Sequence, residues 1–190
     1  MTDPTLTRCA WGDSTPDYAD YHDNEWGVPL RGANAMYERV SLEAFQSGLS
    51  WITILRKREA FRSAFLGFIP EKVAAFDQSD VERLMGDAGI VRNRAKIEAT
   101  IRNARAIADL DQPLDDLLWS FAPDAPRVRP ATMADVPAVT PESKAMAKTL
   151  KRLGFAFVGP TTCYALMQAT GMVDDHVQSC WRATTPPPAR

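Results

Sequence analysis

Four side chains of the kinds that hold transition metals stand near the two ends of the chain, Cys9 and His22 at one and His176 and Cys180 at the other. With only two histidines and three cysteines in the sequence, this set uses nearly every soft or imidazole ligand available. On a helix, the spacing from His176 to Cys180 puts imidazole and thiolate on one face, within reach of a single tetrahedral ion. Two Cys and two His make a closed site for one structural Zn2+ that joins the N- and C-terminal segments and leaves no position for water. Two other arrangements stay open on the residues alone: surface histidines that coincide with buried cysteines, and a Cys9–Cys180 disulfide, which a reducing compartment disfavours.

A second set could recognise a flat polar ring. In LEAFQSGLSW, Glu43 lies about one helical turn before Gly48 and Trp51 lies just after it, so a carboxylate and an indole can face one crevice. Glu43 could equally be an ordinary exposed helix residue. Leu49 sits at the break itself, suited to wedge between stacked bases or to pack into a core. Upstream, YHDNEWG from Tyr21 to Gly27 crowds a phenol, an imidazole, two acids, an amide and an indole into seven residues.

The third set is basic. GIVRNRAKIEATIRNAR carries Arg92, Arg94, Lys96, Arg102 and Arg105 against the single acid Glu98, a local excess of four positive charges. It follows Gly89, where a tight turn between two helices would leave backbone amides at a helix N-terminus, a place that binds phosphate. Sequence-independent contact with a DNA backbone is one reading and a solvated helix face is the other. A second cluster is RKREAFR, from Arg56 to Arg62.

These residues need elements to hold them, and the punctuation is helical throughout. Asn34 to Ser47 is periodic and stops at Gly48; Ser50 then caps a helix that runs toward Gly67. Pro70 opens a short helix. Ser79 and Glu82 read as a capping box, Gly89 interrupts, and a helix runs from Arg94 to Ala108. Thr140, Pro141 and Gly154 start and stop another, and PTTCYALMQATG repeats the Pro-start, Gly-stop pattern. The spacing predicts an all-α protein of about eight to ten short helices.

With 190 residues, 45% hydrophobic and 24% charged, the chain suits one compact domain, predicted over 9–182 between disordered ends at 1–8 and 183–190. No apolar run approaches a membrane span and the start lacks signal-peptide regions, which points to the cytoplasm. A net charge of −2 argues against a protein that coats nucleic acid, so any such contact is local.

Together, YHDNEWGVP, LEAFQSGLSWITILRKRE, DAGIVRNRAKIEATIRNARA and FVGPTTCYALMQATGMVDDHVQSC resemble the 3-methyladenine DNA glycosylase I family, bacterial base-excision repair enzymes of the helix-hairpin-helix superfamily. The resemblance runs from about Cys9 to Cys180, in order and in register. It implies a DNA-repair hydrolase that acts on alkylated double-stranded DNA as a monomer. Its reaction cleaves the N-glycosidic bond of a flipped-out 3-methyladenine and releases the free base. It implies that Cys9, His22, His176 and Cys180 hold a structural zinc, that Glu43 binds the base as the catalytic carboxylate, and that Tyr21, Trp51 and Trp26, with Trp11 near them, form aromatic walls. Leu49, beside Gly48, takes the place of the extruded nucleotide. Gly89, Arg92, Arg94 and Lys96 are expected to hold DNA. The superfamily's common catalytic aspartate is lacking in this family, so Asp109 and Asp111 read as helix-end or loop acids. A non-catalytic DNA-binding module and a small-molecule purine binder are the rival readings; neither gives Glu43, Tyr21 and Trp51 together with the basic hairpin a shared purpose.

Overall fold

The computed structural model describes residues 5–184. Ten α-helices carry the fold: α1 (Pro16–Asn24), α2 (Ala33–Gln46), α3 (Trp51–Ala64), α4 (Pro70–Ala74), α5 (Gln78–Gly86), α6 (Arg94–Ala108), α7 (Leu114–Trp119), α8 (Pro141–Arg152), α9 (Pro160–Ala169) and α10 (Trp181–Thr184). Single 3-10 turns lie at Leu66–Phe68 and Met133–Asp135. Among the described residues there is no strand, and no helix is long and apolar enough to cross a membrane.

α2 is the central element. Met36, Tyr37, Val40, Leu42 and Phe45 are all buried, and the helix packs against α3, α6, α7 and α9. The stack is continued by Phe61, Phe65, Phe68 and Phe76, with Phe65 at 5.4 Å from Phe68. Fully burying a phenyl side chain contributes about 1.5–3 kcal/mol by area alone, so this apolar core dominates the stability of the helical body.

The start and stop signals hold in most places. Thr140 and Ser143 form a capping box that spans Pro141, and Gly154 takes φ 92° past the end of α8. Two caps differ from expectation. The capping box of α5 is Asp77 with Asp80 rather than Ser79 with Glu82; Asp77 Oδ1 accepts from the Ser79 amide at 2.7 Å, while Glu82 is drawn instead to Arg94 at 2.9 Å. Ser50 precedes α3 without capping it, and the Ile52 amide donates to the Tyr18 phenol at 2.9 Å. A cap supplied from α1 was invisible in the local sequence.

Part of each chain end is held against the body. Residues 1–4 and 185–190 lie outside the described residues, but 5–8 and 183–184, expected to be disordered, are placed. Arg8 is buried and grips Asp23 with two nitrogens, Nε to Oδ1 at 2.9 Å and Nη2 to Oδ2 at 2.7 Å. The Trp181 amide donates to the Thr7 carbonyl at 2.8 Å and its indole to Asp23 at 3.1 Å. Residues 183 and 184 complete the short helix α10.

Candidate active site and metal cluster

A cavity of about 380 Å³ opens between α1, the end of α2, the start of α3 and α9. Tyr18 and Tyr21, three apart on α1, reach it from one face; Trp11 and Trp26 come from the segments flanking that helix. Glu43 and Gln46 project from the last turn of α2 and Trp51 from the first residue of α3. Ala165, Gln168 and Ala169 close it from α9, with Met133 and Val136 at the rim. The aromatic rings brace one another: Trp11 lies 5.1 Å from Trp26 and 5.5 Å from Tyr18, and Tyr21 lies 5.4 Å from Trp51. The pocket residues named from the sequence, Tyr21, Trp26, Glu43 and Trp51, therefore line one space, and Trp11 joins them.

Glu43 is 5% exposed, and burial pushes its carboxyl up to about 7 even though Arg39 pulls in the other direction. Burial likewise pushes the Tyr21 phenol up. The Trp51 indole nitrogen is buried without a partner, a free donor in a wall of the cavity. Sequence reading missed Tyr18, Gln46, Gln168 and Arg39. Helical spacing could have found three of them, since Tyr18 is three before Tyr21, Gln46 three after Glu43 and Arg39 four before it. Gln168 arrives from the far end of the chain and had no local signal.

Behind this wall, the ligand atoms of Cys9, His22 and Cys180 lie within 4.8 Å of one another, all three residues buried. Cys180 Sγ is 3.4 Å from His22 Nε2. The hydrogen bond between the two thiols pulls Cys180 down, with His22 adding to the effect, and pushes Cys9 up, so Cys180 is the thiolate of the pair, the form a metal binds. The three cysteines are free, so the Cys9–Cys180 disulfide is not formed. His176 is reached by a different route from the one its spacing suggested: residues 171–180 are irregular, not helical, because α9 stops at Thr170 and Gly171 turns the chain at φ 72°. Its ring nonetheless sits 5.0 Å from that of His22, and its Nε2 is buried with no hydrogen-bond partner.

Both imidazoles are oriented alike. His22 Nδ1 is 2.9 Å from Asp23 and His176 Nδ1 is 2.8 Å from Asp174; each carboxylate fixes its ring through Nδ1 and leaves Nε2 as the atom that could bind a metal. Gly27 makes room: a Cβ there would lie 2.7 Å from His176 Cε1, and its φ of 77° is one that L side chains rarely adopt. Trp26 packs edge-on against His176 at 4.6 Å, which couples the cluster to the cavity wall.

The basic segments are mostly neutralised within the protein. Lys96, read from the sequence as a DNA contact, is instead 7% exposed; its Nζ donates to the carbonyls of Phe45 at 2.8 Å and Ser47. It closes the C-terminus of α2, where carbonyls lack partners. Arg94 pairs with Glu82, Arg56 with Asp17, Arg58 with Glu25 and Arg62 with Glu38. Arg102 and Arg105 donate to the carbonyls of Gly154 and Ala74. The Gly89 amide is taken by Asp87 at 2.7 Å, and Gly89 is needed for close approach, since a Cβ would meet Ala60 at 3.0 Å. Arg92 stays exposed. The α8–α9 hairpin contrasts with this one: no side chain caps α9, so its first amides stay open, and Phe157 stands 39% exposed at φ 57° in the turn. Leu49, 41% exposed, tips the α2–α3 turn after Gly48, which takes φ 81°.

The methyladenine glycosylase family model matches residues 11–183. DNA-3-methyladenine glycosylase 1 of Escherichia coli (strain K12) is 50% identical over 179 residues, covering 92% of this chain and 96% of that protein. A crystal structure of 3-methyladenine DNA glycosylase I matches with a TM-score of 0.89 at 46% identity, covering 92% of this chain and 98% of its own. A tyrosine-to-phenylalanine variant of 3-methyladenine DNA glycosylase I, in complex with 3-methyladenine, matches with a TM-score of 0.86 at 36% identity, over 92% of this chain and 96% of its own.

Proposed function

The chain belongs to the methyladenine glycosylase family and is an N-glycosyl hydrolase; from that premise we propose that it excises 3-methyladenine from alkylated double-stranded DNA as a monofunctional glycosylase. The observation that carries this reading is the aromatic cavity of about 380 Å³ with the buried Glu43 in its wall. A base inside a duplex cannot reach such a cavity, so the nucleotide must flip, which takes least energy for a damaged base. Leu49, exposed between Gly48 and Ser50, is suited to fill the gap.

Methylation at N3 leaves the base cationic while it is joined to the sugar, and hence already a good leaving group. Water adds to the sugar carbon and loses a proton, the electron pair of the C–N bond departs with the base and cancels its charge, and an abasic site remains. The pocket needs to favour the cation over ordinary adenine. A carboxylate at Glu43 does so, and the faces of Tyr21, Trp51 and Trp26 add cation–π attraction. Among the described residues no lysine lines the cavity, which supports hydrolysis without a Schiff base.

One structural zinc held by Cys9, His22, His176 and Cys180 belongs to the same reading. Support comes from the three clustered ligand atoms and from the orphaned His176 Nε2, a fourth donor of the right chemistry. The ion would tie the chain ends together and brace Trp26, with no part in bond cleavage. For the DNA backbone, Arg92 and the open amides at the start of α9 are the available contacts; Lys96 and the Gly89 amide are not. The deciding experiment incubates the protein with methylated duplex DNA and identifies the released bases. Free 3-methyladenine above the spontaneous rate is expected, and its absence would overturn the assignment.

A further inference from the structure

Arg39 is a buried cation that the reaction as described does not use. It lies on α2 four residues before Glu43, hence on the same face, and is 7% exposed. Its Nη1 donates to the Tyr21 phenol at 3.0 Å and lies 3.9 Å from Glu43 Oε1; its Nη2 lies 3.7 Å from Glu25 Oε2. The guanidinium carbon sits over two walls of the cavity, 5.4 Å from the Tyr21 ring centre and 5.1 Å from that of Trp51. Arg58 binds Glu25 with both of its terminal nitrogens, one at 2.8 Å, so Glu25 has a partner of its own. Glu43 has no other cation near it among the described residues.

The 3.9 Å separation matters. It is too long for a hydrogen bond, yet short enough for a strong electrostatic effect in a buried site. Arg39 therefore gives Glu43 a counter-charge without occupying the oxygens that a ligand would use. Its one close hydrogen bond goes to Tyr21, the opposite wall. We propose that Arg39 is a positioning residue of the base pocket, holding the Tyr21 phenol in place and favouring the charged form of the Glu43 carboxyl while leaving its oxygens free for a cationic purine. This rests on the base-excision reading for its purpose and on geometry for its substance.

The groups that face Glu43 are few. From α1 and its end come Tyr18, Tyr21 and Glu25; from α3 come Trp51 and, through Glu25, Arg58; the lining residues of α9 and of the 3-10 turn carry no titratable group. The charge state of Glu43 is thus set chiefly by burial, which disfavours the anion, and by Arg39, which favours it. An opposite charge at this range moves a carboxyl by about one to three pH units.

The test follows the Glu43 carboxyl by 13C NMR in protein labelled at glutamate, with Glu43→Gln identifying its signal, alongside the pH profile of 3-methyladenine release. Arg39→Met keeps the bulk and removes the charge. Its Glu43 titration should move up by roughly one to three pH units, and the acidic limb of the release profile should move with it. Arg39→Lys restores the charge and should return both toward the parent. A Glu43 titration that is the same in parent and Arg39→Met overturns the proposal, whatever the activity. If Arg39→Met does not fold, Arg39→Gln carries the same measurement and can still bind the Tyr21 phenol. Should the parent release no base, the excision reading fails while the titration still decides the role of Arg39.

Discussion

The helical body and the smaller cluster at the chain ends are both buried, but they are held by different forces. Around α2 the interior is aliphatic and phenyl side chains, with Phe45, Phe61, Phe65 and Phe68 fully enclosed. The second cluster has Cys9, Tyr21, Trp26, Ala169, Val177 and Cys180, with Trp11, Tyr18 and Trp51 against it. It is too small and too polar to rest on apolar burial alone, and His22, His176 and Asp23 run through it. Trp51 packs against both clusters. The first is a scaffold that many apolar sequences could supply; the second depends on named atoms, and those atoms shape the aromatic cavity.

The two regions should differ most at the thiols. With zinc bound, chelation or Cys180→Ala should lower the melting temperature further than any single core truncation, because structural zinc contributes on the order of 10 kcal/mol in small metal-dependent folds. Metal analysis should find one zinc per chain, and a metal-free sample of equal stability would refute the four-ligand assignment. Phe65→Ala, in the other region, should cost about 3–5 kcal/mol in denaturant unfolding and leave the zinc content unchanged.

Glu43 gives the next largest effect. Its carboxyl, raised from 4.5 to about 7, favours folding most below pH 4.5, and that contribution is lost as pH rises through 7. The displacement corresponds to roughly 3 kcal/mol. Glu43→Gln should therefore flatten stability between these limits and be the more stable form above pH 7, while binding free 3-methyladenine less well by isothermal calorimetry. Base release by the parent should fall as pH drops below 7, where the carboxyl gains its proton. Unchanged ligand binding in Glu43→Gln would remove Glu43 from the site.

The smallest effects separate two cations that the sequence treats alike. Arg92→Ala should reduce the salt dependence of DNA binding by about one phosphate contact. Lys96→Met should leave that dependence unaltered and instead lose about 1.5–3 kcal/mol of stability, since two carbonyls at the end of α2 lose a charged donor. A flattened salt dependence in Lys96→Met would return that residue to the DNA surface.

Most of the helices were legible because their signals are local: Pro141 and Pro160 at first turns, Gly48 and Gly154 past the ends. The capping box before α5 was misread because two acceptable boxes overlap there, and Arg94, twelve residues on, claims Glu82. The two helical hairpins differ in how the polar groups of their turns are used. The one at Gly89 is rich in cations, but Asp87, Glu82 and the α2 carbonyls consume several of its polar groups. The one before α9 follows Lys151 and Arg152 at the end of α8, and no side chain caps its first amides.

The sequence by itself determined the helical class and supplied the Cys and His side chains near the chain ends and the aromatic and acidic residues of the cavity, because residue chemistry and helical spacing are properties of short segments. Tertiary structure alone decided what those residues face. It brought His176 to His22 through an irregular turn, set Arg39 between Tyr21 and Glu43, and turned Lys96 inward, since the burial and charge partners of a side chain come from segments that the local sequence does not contain.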